Sequence, residues 1–74
     1  MTTPEQIKQY IEAGMSCQHV EVSGDGHHFE AVIVSAAFSG KRKVQQHQLV
    51  YAALKGQMGG VLHALALQTG VPQA

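Results

Sequence analysis

The sequence predicts one α+β domain, a two-layer sandwich with helices on one face of a three-stranded sheet. Three observations predict it: a capped helix near the N-terminus, two alternating runs joined by a glycine turn, and a helical run followed by a short apolar segment. The order is helix, strand, strand, helix, strand (α-β-β-α-β). Apolar faces of helices and sheets are buried by stacking them in such layers. A helix separates the second strand from the third, so that pair has room to run parallel and the sheet to be mixed.

Each element has its own signal. Thr3 with Gln6 three residues on forms a capping box, and Pro4 takes the first helical position. Ile7, Tyr10 and Ile11 then recur at i, i+3 and i+4, one face of an amphipathic helix that Gly14 is placed to stop. His19-Val20-Glu21-Val22-Ser23 alternates polar and apolar, as a half-buried strand does. Ser23-Gly24-Asp25-Gly26 supplies turn residues, and His28 to Ser35 forms the second strand of an antiparallel hairpin. Phe29, Ala31 and Ile33 share one face of that strand. Val32 and Val34 on the other suggest cover on both sides.

Phe38-Ser39-Gly40-Lys41 is a loop with room for a single helical turn. From Val44 to Met58 the pattern is helical, with Leu49, Val50, Ala53, Leu54 and Met58 on a broad apolar stripe ended by Gly59-Gly60. Val61 to Thr69 is apolar, short, and bounded by glycine before it and by Gly70 and Pro72 after it. It is predicted to be the third strand.

The chain of 74 residues is one domain, 1–74, and 45% of it is hydrophobic without a tryptophan. A chain this short buries only about 60% of its unfolded surface, so a cofactor or partner adds useful stability. Formal net charge is zero with histidine neutral, which argues against binding nucleic acid chiefly through phosphates. The run Lys41-Arg42-Lys43 is expected to be a solvated basic turn. Cys17 is the only cysteine, so no intramolecular disulfide forms, which fits a reducing compartment. Met1 to Gln6 lacks the regions of a signal peptide, and no apolar run approaches the ~20 residues that span a bilayer. A cytoplasmic protein with no membrane contact is expected.

Five histidines stand out: His19, His27, His28, His47 and His63. Imidazole is the commonest metal ligand, yet HxxxH, HExxH and CxxC spacings are all absent. Serine, histidine and aspartate occur without a G-x-S-x-G elbow, and there is no phosphate loop or dinucleotide fingerprint. The chain is not expected to be an enzyme in its own right.

Several short motifs in register carry a resemblance. Val20-Glu21-Val22-Ser23-Gly24-Asp25-Gly26-His27-His28-Phe29 resembles the first hairpin of BolA-like proteins. Phe38-Ser39-Gly40 resembles that family's F-x-G turn, and Gln46-His47-Gln48-Leu49-Val50-Tyr51 its R-H-x-x-V-Y helix motif. His63-Ala64-Leu65-Ala66-Leu67-Gln68-Thr69 resembles its C-terminal H-A-L-x-L-x-T strand. Together they cover roughly residues 5 to 72 in the family's order. The histidine directly before phenylalanine is similar to the IbaG (YrbA) branch.

The resemblance implies a KH-like fold and pairing with a monothiol glutaredoxin, with a [2Fe-2S] cluster bridging the two proteins. It makes His63, in the C-terminal strand, and His28, in the hairpin loop, the cluster-ligand candidates. Two departures stand out: Gln46 replaces the family's usual arginine, and the hairpin ligand is histidine rather than cysteine. Imidazoles can replace thiolates on one iron of a [2Fe-2S] cluster. Two imidazoles from this chain, with thiolates from glutaredoxin and glutathione, make a full set, so no cluster is expected on the isolated chain.

The remaining candidates take humbler roles. His27 alternates away from His28, His47 fits surface or partner contact, and Cys17 fits a small packed residue. Gly56-Gln57-Met58-Gly59 spells the G-x-x-G of nucleotide-binding KH loops, but a helix stopping before a strand needs such glycines anyway. The alternative function is transcriptional regulation by nucleic-acid binding, to which the family has also been linked.

Overall fold

The computed structural model describes residues 3–54 and 64–73. Helix α1 (Pro4–Gly14) begins as its sequence predicts. Gln6 donates its N–H to the Thr3 hydroxyl at 3.2 Å, and its side-chain oxygen accepts the Thr3 N–H at 3.1 Å. Two N–H groups at the helix start are thus satisfied reciprocally. Ile7 and Ile11 are fully buried, and Tyr10 packs beside them.

The helix stops at Gly14, but for a different reason from the predicted one. Met15 is extended at the cap, and Gly14 is not among the positive-φ glycines. A Cβ on Gly14 would lie 2.7 Å from the Cα, Cβ and carbonyl oxygen of Ala53. Gly14 therefore lets two helix backbones approach closely, rather than supplying a left-handed cap.

Strands β1 (His19–Gly24) and β2 (Phe29–Val34) form the antiparallel hairpin, and β3 (Leu65–Gly70) joins β2 in parallel. The sheet order is β1-β2-β3, so β2 is central and the sheet is mixed as expected. Val20, Phe29, Ala31, Ile33 and Leu65 are buried under α1 and α2 (Lys43–Leu54), which contributes Val50 and Leu54. Phe38, from a single 3₁₀ turn at Ala36–Phe38, completes this core.

Several boundaries and one expectation of cover differ. The second strand starts at Phe29 and not His28, because His28 is drawn into the turn. It ends at Val34 and not Ser35, because the Ser35 hydroxyl accepts the Ala37 N–H at 3.1 Å and starts the 3₁₀ turn. The first described strand residue of the third run is Leu65; Val61 to His63 lie outside the described residues. So do the predicted end of the second helix at Gly59-Gly60 and the Gly56–Gly59 motif. Val32 and Val34 remain only half-buried, so among the described residues nothing covers the second face of the sheet.

Candidate functional site

The hairpin turn is built around one carboxylate. Asp25 accepts the backbone N–H of both His27 and His28 on Oδ1, each at 2.9 Å, while its own N–H donates to the His28 carbonyl at 3.2 Å. Gly26 between them adopts φ +97°, a conformation that side chains disfavour. This pins the backbone of His28 while leaving its side chain exposed. His27 is exposed on the same turn.

Those two hydrogen bonds, the His28 one foremost, hold the Asp25 carboxyl below the usual carboxylate range. The sign follows. A depressed folded pKa means that the turn is supported above the ordinary aspartate range and loses that support as pH falls through the lowered value. In an NMR titration, the His27 and His28 amide protons should move together at a pH below that of free aspartate. Asp25→Asn, which keeps an accepting oxygen but cannot titrate, should abolish that inflection.

The parallel register sets Phe29 opposite Leu65 and Val34 opposite Gly70. The turn bearing His28 and the start of β3 are therefore at one end of the sheet. His63, two residues before Leu65 in the chain, lies outside the described residues.

Cys17 is at the other end, since the Gln18 N–H donates to the Val34 carbonyl at 2.8 Å. Five residue steps of β2, about 17 Å at strand rise, separate the two ends. Burial, and secondarily the Glu12 charge, push the Cys17 thiol up. His19 is exposed, with Nε2 3.4 Å from a Glu21 carboxylate oxygen. His47 is half-buried on α2. Among the described residues, no three His, Cys, Asp or Glu side chains gather as a metal would require. His28 is thus an accessible single donor that would need donors from beyond the described residues.

The basic run occupies the Gly70 end. The Lys43 ammonium donates to the Thr69 carbonyl, while Lys41 and Arg42 are exposed. Behind them lies a buried polar cluster that motif reading missed. The Gln46 amide nitrogen donates to the Lys41 carbonyl at 2.9 Å and the Phe38 carbonyl at 3.3 Å, and its oxygen accepts the Thr69 hydroxyl at 2.5 Å. Ser35 is a second case, fully buried and donating to the Ser16 carbonyl at 2.6 Å. A signal existed for both. Gln46 falls one helical turn before Val50, while Ser35 and Thr69 continue the inward alternation of β2 and β3. Polar residues at core positions must find partners.

The comparisons agree with this architecture. The sequence matches the BolA-like protein family over residues 3–74. The DNA-binding transcriptional regulator BolA of Haemophilus influenzae is 44% identical over 83 aligned positions, covering 99% of this chain and 81% of the relative. The acid stress protein IbaG of Escherichia coli is 32% identical over 68, covering 90% and 81%. Human BolA-like protein 1 is 39% identical over 70 residues, covering 95% of this chain. The chain spans only about half of that relative's length, 49%. Among solved structures, a BolA homologue from Coxiella burnetii superposes with a TM-score of 0.85 at 46% identity, covering 97% of this chain and 94% of that one. Family match, α-β-β-α-β order and mixed sheet agree, and the chain belongs to the BolA-like protein family.

Proposed function

We propose that this chain is a non-enzymatic partner of a monothiol glutaredoxin, sharing with it a bridging [2Fe-2S] cluster in iron–sulfur trafficking or in iron, redox or stress regulation. The observation that carries the proposal is the Phe29–Leu65 register, which sets the exposed His28 turn and the start of β3 at one end of the sheet. His28 and His63 would supply two neutral imidazoles there, and glutaredoxin and glutathione two thiolates, a ligand set that iron–sulfur chemistry accepts. When bound, the cluster supplies a transferable iron–sulfur unit and a one-electron redox centre. This chain contributes donor atoms and a turn whose backbone Asp25 holds in place. Such a partner belongs in the reducing cytoplasm.

The test is reconstitution. The chain incubated with iron, sulfide and glutathione should stay essentially colourless. With a monothiol glutaredoxin added, it should co-elute as a heterocomplex whose visible absorption differs from that of the glutaredoxin homodimer. A stoichiometric cluster on the isolated chain, or no heterocomplex, contradicts the proposal.

The name of the Haemophilus relative favours a second role, DNA binding, with the exposed Lys41 and Arg42 as the contacts. Gln46 is buried and Lys43 is engaged with Thr69, so among the described residues the basic run offers only Lys41 and Arg42 to phosphates. Each phosphate neutralised contributes about −0.9 to the slope of log affinity against log salt. Specific duplex binding near physiological salt, lost on changing Lys41 and Arg42 to alanine, would establish that role instead.

A further inference from the structure

The central strand β2 carries Val32 and Val34 on its second face, yet α1 and α2 cover only the first. On the open face, the register aligns Ser23, Glu30 and Ala66 in one row, and Glu21, Val32 and Gln68 in the next. A groove of about 620 Å³ runs over this face and round the β1 edge to the start of α1. Its floor includes Val32 and Ala66. Its charged lining is Glu5, Glu21 and Glu30 against Lys8 alone. The chain has five acidic residues in all, so three of them gather here while the Lys41–Lys43 run stands at the start of α2. The zero net charge conceals an acidic sheet face.

We propose that this open face docks a basic amphipathic helix of a partner protein, its apolar side on Val32 and Ala66 and its Lys or Arg side chains against Glu21 and Glu30. The occupant's chemistry follows from the face. Within a sheet, backbone groups are already paired between strands, so a segment lying on the face must satisfy its own backbone, as a helix does. A second copy fits poorly, because a two-fold contact would bring two faces of the same acidic charge together. Opposite charge on the partner both steers the encounter and excludes acidic competitors. This surface is separate from the His28 turn, and the proposal stands or falls independently of cluster binding.

The test is an NMR titration of the full chain at neutral pH with a synthetic Leu/Lys amphipathic helix peptide, using a Leu/Glu peptide of the same pattern as control. The Val32 and Val34 methyls and the Ala66 and Gln68 amides should shift with the Leu/Lys peptide and not with the control. Glu21→Lys with Glu30→Lys should weaken binding about tenfold or more. Both sites are exposed, so the fold should survive, which the unbound spectrum checks. Glu12→Lys, exposed on α1 and outside the groove, should leave the affinity unchanged. Shifts confined to the helical layer or the hairpin turn, equal binding of both peptides, binding of neither, or a self-dimer burying this face would each overturn the proposal.

Discussion

Gln46→Leu is expected to destabilise the domain by about 2–4 kcal/mol, because it strips partners from three groups at once. The Gln46 side chain is buried, and its amide joins the Phe38 and Lys41 carbonyls ahead of α2 to the Thr69 hydroxyl on β3. Leucine matches the volume roughly but offers neither donor nor acceptor. The loss is large against the ~4–11 kcal/mol that a chain of this length commands. Thr69→Val alone should cost less, since only the Gln46 amide oxygen loses a partner. In the double variant the Gln46–Thr69 bond has already gone, so the two losses should add to less than their sum. Urea unfolding midpoints with unchanged slopes would check it. A Gln46→Leu midpoint equal to wild type would mean that the cluster contributes nothing to stability.

The same cluster shows where sequence legibility ended. Helix periodicity and strand alternation gave the described helices and the hairpin, because apolar spacing directly encodes which face is buried, while a short apolar run bounded by glycine gave β3. They missed Gln46 as a core residue. Motif comparison treated it as a lost arginine, although its position one turn before Val50 already put it on the buried stripe. Gly14 marked a helix end correctly for the wrong reason, since a close approach to Ala53 is a tertiary fact that one helix cannot reveal. His28 was readable as an accessible turn residue. Its removal from the strand was not, because that depends on Asp25 capturing two backbone N–H groups. Val32 and Val34 were expected to be covered, and their half-exposure shows that pattern alone cannot say whether the covering layer belongs to the same chain.

His63→Ala is expected to cost the heterocomplex most of its cluster, because a metal site that loses a ligand loses binding energy outright. Even outer-shell partners are worth about 10–100-fold in metal affinity, and a direct ligand should exceed that. His28→Ala should weaken the cluster less where solvent or a neighbouring donor substitutes at this exposed turn. His28→Cys should retain it with altered absorption and a lower reduction potential, since anionic thiolate favours the oxidised state over neutral imidazole. His47→Ala, on α2 and outside the proposed ligand pair, is the control.

The most direct measurement is the visible absorption and cluster content of the glutaredoxin heterocomplex, compared across wild type, His63→Ala, His28→Ala and His47→Ala at one pH. Cluster lost in His63→Ala, reduced or spectrally altered in His28→Ala and unchanged in His47→Ala is the predicted result. Wild-type spectra and cluster content in both His63→Ala and His28→Ala would contradict the assignment of these two histidines as iron ligands.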